Sequence, residues 1–499
     1  MTGTGATFLN IHLPNPTTWF YLAVILGVAL FFRFQKPWKL RNLDILMLFL
    51  FAPPLLLLRE AQQQQEAQQA IWRSEGHRVV QVSRAAAYIL ALPIGANSHL
   101  AAELLATEAS PDLTRKLLAQ PSRDVFRAYL WLLIVSALWL LRGLVDLILA
   151  KRAPFASNLS LGGLAWLALV LFLVMSTWTF LPTHEIQPQA AAQSVVLQKS
   201  ARFVGELADR LQLPVSTTTT LQPILALLCH GIILMALLWI GLRHFGDGAT
   251  GMAAAVIYLL LPYTAYHLTN LEQVFPGMMI VLAIACYRLP LVAGTLLGIA
   301  AALTFFPIVL LPLWLSFYFR RGMLRFLAPV LFLMGFLAAA LWLDPQIKQA
   351  FIDTLGKTEW QPWSYSQKPT AESLWTGLTY HYAYRLPLFI AYVVLLISSI
   401  FWPAPKNLGH LIAWSLVLIL GVQFWYADAG GIYVLWYLPL LVLLALKPSP
   451  ADRRPPEIEP DRDWLVRSAR WLRRRLGERE KAETEPLPQV KTLVHRKAG

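Results

Sequence analysis

Two glutamates stand where a carboxylate could do chemistry beside a strongly apolar run. Glu185 lies directly after His184 in the stretch LPTHEIQ, and Glu272 lies near His267 and Asn270 in the stretch HLTNLEQ. The two histidines beside them, His184 and His267, are candidate substrate-binding residues. A carboxylate at the membrane depth of Glu272 is costly unless it is paired or faces a watery cavity. Glu185 lies just beyond the end of an apolar run, where partial burial would bring its pKa toward neutrality and suit it to act as a base. The chemistry would be general-base catalysis, in which the carboxylate takes a proton from an attacking hydroxyl. The alternative is an interfacial glutamate at a helix start for Glu185 and an exposed turn for Glu272.

Three basic residues are candidates for binding a phosphate group. Arg385 opens an apolar run directly after the stretch YHYAY, and Lys199 and Arg202 lie in a segment whose apolar residues recur at helical spacing. A guanidinium group suits bidentate binding of a phosphate. The alternative for each of them is snorkelling, in which the charged end reaches lipid head groups while the stem stays in apolar surroundings.

Aromatic residues concentrate in the stretch TEWQPWSYSQKPTAESLWTGLTYHYAYRLP. Their flat faces could stack on a sugar ring, although a belt of tryptophan and tyrosine at a membrane interface is the alternative. The candidates are Trp360, Trp363, Tyr365, Trp375 and Tyr380.

The composition indicates which class of protein must position these residues. Of the 499 residues, 57% are hydrophobic and 14% are charged, and the mean hydropathy is +0.52. Soluble domains average about 25% charged residues, so the chain is predicted to be an all-α polytopic membrane protein. The net charge of +14 is best explained by basic cytoplasmic loops, and we expect no nucleic-acid partner.

Apolar runs of membrane-spanning length recur along most of the chain. They lie near 18–33, 43–58, 127–149, 160–182, 221–243, 250–269, 273–288, 324–343, 386–402, 408–425 and 431–447. One further run, from Pro290 to Phe319, is interrupted by Pro307 and Pro312. All the short basic loops can face the cytoplasm together only if this run crosses twice, as 290–306 and 307–319. A proline without a donor N–H suits the first turn of a new helix, so we predict a hairpin at Pro307.

The resulting topology has about 13 spans, with the N-terminus outside and the C-terminal tail in the cytoplasm. The segments 59–126, 183–220 and 344–385 then lie on the outer side, and 183–220 is predicted to carry an amphipathic helix at the membrane surface. The tail from 448 combines a proline-rich linker with a basic amphipathic helix suited to anionic lipids, a solvated or disordered tail being the alternative.

Two charges inside an apolar run need a separate explanation. Arg142 and Asp146 are four positions apart and are therefore expected to neutralise each other on one helix face. A proton relay is the alternative use for the pair.

Residues 160–447 resemble the membrane glycosyltransferases of the C superfamily, especially those of family 87. The resemblance lies in the order of the helices, in the Gly-rich run LVAGTLLGIAAALTFFP with its aromatic-Pro break, and in the closing stretch YVLWYLPLLVLLAL. It implies transfer of a sugar from a polyprenyl-phosphate donor to a lipid or glycan acceptor at the outer face, in a bacterial inner membrane. It also implies that Glu185 and Glu272 are the acidic residues of the site. Residues 1–159 lie outside the resemblance, and their role is open.

The chain departs from the family pattern at two positions. Glu185 stands where an aspartate is usual, and Thr304 stands where family 87 members commonly carry a lysine. A catalytically inactive scaffold of the same fold is therefore one alternative, and a transporter or flippase of lipid-linked glycans is another. No cofactor is expected, and a requirement for a divalent metal is left open.

Overall fold

The computed structural model describes a helical membrane-type bundle. It covers residues 16–35, 37–58, 60–61, 123–149, 157–180, 221–304, 306–345, 348, 374–377, 381–426, 433–448, 471 and 474–475. No β-strand occurs in these ranges, in agreement with the predicted fold class. The predicted surface helix in 183–220 lies outside the described residues, as do residues 62–122.

Fourteen α-helices have their bounds within the described residues, and residues 52–58 form a further helical stretch after α2. The fourteen are α1 Pro16–Phe31, α2 Leu40–Phe49, α3 Arg123–Asp146, α4 Leu161–Phe180, α5 Leu221–Trp239, α6 Gly248–Leu260, α7 Pro262–Tyr266, α8 Leu271–Ala285, α9 Pro290–Thr304, α10 Leu311–Phe317, α11 Met323–Leu343, α12 His381–Phe401, α13 Leu408–Trp425 and α14 Val434–Leu446. A π-helical turn, Ile240–Phe245, extends α5, and 3₁₀ turns form at Phe306–Leu310 and Leu374–Gly377.

Burial separates a central helix from peripheral ones. Within the described bundle, 89% of α13 is buried, whereas only 11% of α11 and 17% of the apolar stretch of α12 are buried. The exposed side chains on α11 are large and apolar, for example Phe332 and Trp342. Such a surface suits contact with lipid chains, and α11 and α12 therefore form part of the outer wall of the bundle.

The helices coincide closely with the apolar runs identified in the sequence. Six of them are long and apolar enough to cross a membrane, and shorter apolar helices occupy the other predicted positions. The count of about 13 spans stays a prediction, because several of these helices are shorter than the roughly 20 residues that a bilayer requires.

The hairpin predicted at Pro307 is confirmed. Helix α9 ends at Thr304, the chain turns through the 3₁₀ segment, and α10 runs back beside the bundle. The hydroxyl of Tyr318, just after α10, donates to the carbonyl of Tyr287, just before α9, at 2.5 Å. An uninterrupted helix would hold these two residues about 45 Å apart. Residues 288 and 320 therefore lie at the same end of the bundle.

Contacts of loop residues with helix ends bring the predicted cytoplasmic segments together at this end, which we call the basic end. Asn158 donates to the carbonyl of Ala29 at 2.9 Å, and Lys406 donates to Ser316 Oγ at 2.9 Å. Burial lowers the pKa of Lys406 to about 8, because desolvation disfavours its charged form.

Four buried charges join helices at the basic end. Arg142 bonds Asp44 through Nε at 2.6 Å and through Nη2 at 2.9 Å, and it also bonds Asp146 at 3.1 Å. Lys447 completes the cluster by pairing with Asp146. The expected pairing of Arg142 with Asp146 is confirmed, but the sequence did not reveal that Asp44 and Lys447 belong to the same cluster. These four charges sum to zero, which makes their burial in a membrane protein feasible.

Close helix contacts depend on glycines without a β-carbon. A β-carbon added at Gly277 of α8 would lie 2.2 Å from the carbonyl oxygen of Leu435 in α14. One added at Gly294 of α9 would lie equally close to the carbonyl oxygen of Phe326 in α11. Small residues at such crossings let the backbones approach, which is how helices in membranes gain packing energy.

The helices before residue 160 pack directly on those that follow. Helix α1 contacts α7, α2 contacts α14, and α3 contacts α13. The domain boundary predicted between residues 159 and 160 rests on the resemblance alone. In the described bundle, helices on the two sides of it pack against each other.

Candidate functional site

A pocket opens at the end of the bundle opposite the basic end. Its walls come from α8, the 3₁₀ turn of the hairpin, the last turns of α13 and the start of α14. It is shallow: of about 350 Å³ of space between its side chains, part of which is open to the surroundings, about 10 Å³ is wide enough for a water molecule. The lining residues are Ile280, Phe306, Pro307, Val309, Ile419, Val422, Gln423, Tyr426, Tyr433 and Trp436.

Aromatic rings make up one side of this pocket. The ring of Phe306 meets that of Tyr426 edge-on at 4.6 Å and lies 5.2 Å from that of Trp436. Tyr433 stacks on Trp436 at 4.4 Å. Phe306 reaches these rings because the chain leaves the α-helix at this point, where Pro307 lacks the N–H that would continue it. The aromatic-Pro break noticed in the sequence is therefore part of the pocket wall.

Arg385 lies behind the pocket. Its Nε donates to the carbonyl of Trp425 at 3.0 Å, and its side chain is only 1% exposed. The Trp425 ring packs against Phe389 and Tyr392 of the same helix as Arg385. Burial to this extent does not fit an arginine that snorkels to lipid head groups. Its role as a phosphate contact stays a prediction.

Gln423 contributes to the wall of the pocket from the last turn of α13. It is 3% exposed, and neither of its amide atoms has a partner at hydrogen-bond geometry among the described residues. The hydroxyl of Tyr437 is close enough to interact with it, but the contact does not meet that geometry. In the sequence, the only signal for Gln423 was one amide within the apolar run LILGVQFW.

A second polar group lies at the same end, between α5, α6 and the turn after α7. His230 Nδ1 is 2.8 Å from the hydroxyl of Tyr258, and both side chains are fully buried. The backbone of the turn at His267 and Leu268 lies against the His230 ring. His267, a predicted substrate-binding residue, is 7% exposed and meets the Tyr266 ring edge-on at 4.5 Å. None of these residues lines the pocket.

Glu272 lies in the first turn of α8, and the position of its side chain is outside what the structure describes. Asn270 caps this helix by accepting a hydrogen bond from the Gln273 backbone at 3.4 Å. Ile280 of the pocket lies eight residues further along α8, or about 12 Å along the axis. Glu272 therefore lies about two helical turns before the pocket along α8, which forms part of the pocket wall.

Of the predicted site residues not yet discussed, Trp375 lies within the described ranges and the others lie outside them. Trp375 is 5% exposed, and its 3₁₀ turn packs against the beginning of α3, away from the lining of the pocket. Its use as a sugar platform stays a prediction. The residues outside the described ranges are His184, Glu185, Lys199, Arg202, Trp360, Trp363, Tyr365 and Tyr380.

Among the described residues, no three His, Cys, Asp or Glu side chains come together as a group that could hold a metal ion. The question of a divalent metal stays open, because the polar segments that carry Glu185 and His184 lie outside those residues.

Comparisons with known proteins do not place the chain in a family: no protein-family model, curated protein or solved structure matches it.

Proposed function

We propose that the protein is an integral membrane glycosyltransferase that moves a sugar from a polyprenyl-phosphate carrier to a lipid or glycan acceptor at the non-cytoplasmic face. The observation that carries the proposal is the hairpin, whose turn sets Phe306 and Pro307 into an aromatic pocket at the end opposite the basic loops. Basic loops favour the cytoplasm, which would place this pocket towards the outer face.

The pocket suits the apolar carrier better than a free polar substrate. Its lining is aliphatic and aromatic apart from Gln423 and the two tyrosine hydroxyls. A buried arginine, Arg385, lies directly behind it, held by the backbone of Trp425. An apolar cleft with a buried cation behind its wall supports binding of a lipid whose head is a phosphate ester.

The reaction would be a displacement at the anomeric carbon of the sugar. The acceptor oxygen forms the new bond, and the bond from the anomeric carbon to the phosphate oxygen breaks, its electron pair staying on the phosphate. A carboxylate takes the proton of the acceptor hydroxyl, a role for which Glu185 and Glu272 are the candidates. The transition state carries positive charge on the sugar, as in glycoside hydrolysis.

The test is a transfer assay with protein reconstituted in lipid nanodiscs and given a polyprenyl-phosphate hexose and a mixed acceptor extract. Glu272→Gln and Glu185→Gln are compared with wild type, and loss of the base is expected to slow transfer by roughly 10²–10⁴-fold. The matched control is Asp344→Asn, which neutralises an acid at the end of α11 away from the pocket and should leave transfer unchanged.

Binding is measured beside transfer by native mass spectrometry. Retention of the carrier lipid by both glutamine variants, with transfer lost, supports the enzyme. Normal transfer by both variants contradicts the assigned base. Retention of the lipid without transfer by wild type would instead favour an inactive scaffold of the same fold, the alternative suggested by Thr304.

A further inference from the structure

Three arginines lie together at one corner of the basic end, which we call the arginine corner. Arg288 comes just before α9, and Arg320 and Arg321 lie in the turn between α10 and α11. The hydrogen bond from the hydroxyl of Tyr318 to the carbonyl of Tyr287 joins these two segments within a few residues of all three arginines. Their positive charges are therefore concentrated in a small area.

The two helices that follow these arginines cross at the same corner. A β-carbon added at Gly294, the fifth residue of α9, would lie 2.2 Å from the carbonyl oxygen of Phe326, the fourth residue of α11. Both helices therefore begin here side by side, and the first turn of neither contains an acidic residue. The partial positive charge of the two N-termini adds to the charge of the arginine side chains.

Among the described residues, no carboxylate forms an ion pair with Arg288, Arg320 or Arg321. The acids at the basic end have other partners. Asp44 and Asp146 belong to the neutral cluster described above, and the side chain of Asp247 accepts hydrogen bonds from the start of α6. The charge of the arginine corner is therefore not balanced within the described bundle.

Large apolar side chains are exposed around these arginines. Leu289, Phe319 and Leu324 are each more than half exposed, and the guanidinium group of Arg320 lies 5.4 Å from the centre of the Phe319 ring. A cationic surface bordered by exposed apolar side chains matches a molecule that has an anionic head and a hydrocarbon chain. A free phosphate ion would make no contact with the apolar side chains.

We propose that the arginine corner binds a phospholipid with a net negative charge from the leaflet at the basic end. Its phosphate group lies among Arg288, Arg320 and Arg321, and its acyl chains lie along Leu289 and Leu324. Guanidinium groups suit this role because each can donate two parallel hydrogen bonds to a phosphate. The pocket opens at the opposite end of the bundle, so this inference does not depend on the proposed function.

The test is a lipid titration of the full-length protein in detergent, followed by native mass spectrometry. Phosphatidylglycerol supplies the negative head group, and phosphatidylcholine, which has no net charge, is the comparison. Wild type should retain phosphatidylglycerol in preference to phosphatidylcholine. The double variant Arg320→Gln with Arg321→Gln should bind phosphatidylglycerol roughly ten- to a hundredfold more weakly, because two of the cations that attract the head group are lost. Arg288 stays in this variant because its Nε also donates to the hydroxyl of Tyr287.

The matched control is Arg33→Gln with Lys39→Gln, which removes the same charge from the connection between α1 and α2 at the basic end. This variant should bind phosphatidylglycerol as wild type does. Equal losses in the two double variants would show a general attraction of basic residues to anionic lipid and would overturn the proposal. Equal retention of both lipids by wild type would overturn it as well.

Unfolding temperatures in lipid-free detergent and with added phosphatidylglycerol provide a second readout. A lipid that binds the folded protein stabilises it, so phosphatidylglycerol should raise the unfolding temperature of wild type more than that of Arg320→Gln with Arg321→Gln. The two proteins should unfold at similar temperatures without lipid. A lower unfolding temperature of the variant in lipid-free detergent, with no effect of phosphatidylglycerol on either protein, would mean that the arginines bind acidic residues of the chain itself, and the proposal would be wrong.

Discussion

Arg142 and Asp44 form a two-pronged ion pair across 98 positions of the chain, with Nε to Oδ1 at 2.6 Å and Nη2 to Oδ2 at 2.9 Å. The pair joins the first turns of α2 to the last turns of α3. Asp146 and Lys447 join this pair in a cluster of four charges, which reaches the end of α14. One neutral cluster thereby ties the early helices to the last one.

Removing one charge from this cluster is expected to destabilise the protein strongly. Asp44→Asn leaves Arg142 with one carboxylate instead of two, in a place where its charge is 6% exposed. Breaking a buried pair costs about 3–5 kcal/mol in measured cases. The measurement is the unfolding temperature of the detergent-solubilised protein, with folded yield as a second readout.

The double variant Asp44→Leu with Arg142→Met supplies the control for that experiment. Because both buried charges are removed together, it should be more stable than Asp44→Asn. Asp146 and Lys447 would still pair with each other in it. A double variant no more stable than the single one would argue against the ion pair as the reason for the loss.

The contact of Gly277 with Leu435 predicts a second effect, on packing. Gly277→Ala would place a β-carbon against a backbone carbonyl, which cannot move as a side chain can, so α8 and α14 must separate. Overpacking of this kind costs roughly 1–3 kcal/mol, and we expect the unfolding temperature to fall. Gly335→Ala on the exposed side of α11 is the control. No atom lies within 4 Å of its added β-carbon, so it should be neutral or slightly stabilising.

The same crossing also bears on the pocket. Ile280 follows Gly277 by one helical turn, and Trp436 follows Leu435, so separation of the two helices should disturb the lining. Binding of a polyprenyl phosphate by Gly277→Ala should therefore weaken, whereas Gly335→Ala should bind as wild type does. Unchanged binding in a destabilised Gly277→Ala would show that the pocket tolerates movement of α8.

The hairpin could be predicted because the positions of the basic loops and the chemistry of proline both constrain it. Arg288 and the basic group at Arg320 and Arg321 cannot share one side unless the chain crosses twice, and Pro307 supplies the break. Helix positions followed equally well from apolar runs. The positions of the basic loops only implied that the chain returns to the same end. The contact between Tyr318 and Tyr287 shows it directly.

The site was less accessible from the sequence, for physical reasons. The burial of Gln423 depends on which helices surround it, and a single amide in an apolar run does not reveal that it lies beside the Tyr437 hydroxyl. Asp44 and Lys447 are separated by most of the chain, so no local spacing pairs them with Arg142 and Asp146. Charged and aromatic residues were visible in the sequence, but Arg385 and Trp375 prove to be buried rather than displayed on the surface.

Labelling of introduced cysteines tests the hairpin in a membrane. In a background with Cys229→Ala and Cys286→Ala, single cysteines are introduced at Leu289 and Phe319, which are both more than half exposed. A membrane-impermeant maleimide should label both from the same side of sealed vesicles. Leu343→Cys, at the far end of α11, should be labelled from the opposite side. Labelling of Leu289→Cys and Phe319→Cys from opposite sides would mean that 290–319 crosses once.

Lys406 gives a prediction about pH. Its pKa is lowered to about 8 in the folded protein by burial, against an ordinary value of 10.5 in the unfolded chain. Between these two values the unfolded chain binds more protons than the folded one, so the contribution of Lys406 to stability rises with pH. Below about pH 8 both states carry the charge, and this contribution no longer varies. The hydrogen bonds to Ser316 and to the carbonyl of Ile400 accompany either form of the amine.

The variant that isolates this effect is Lys406→Met, which keeps a long side chain and removes the titrating amine. Unfolding temperatures of wild type and variant are compared from pH 7 to pH 10 in one detergent, so that other titrating groups cancel in the difference. The unfolding temperature of wild type should rise relative to that of the variant as the pH rises above about 8, because only wild type loses the cost of a buried cation. A difference that stays constant from pH 7 to pH 10 would mean that Lys406 keeps an ordinary pKa, and hence that its ammonium group is solvated at the basic end.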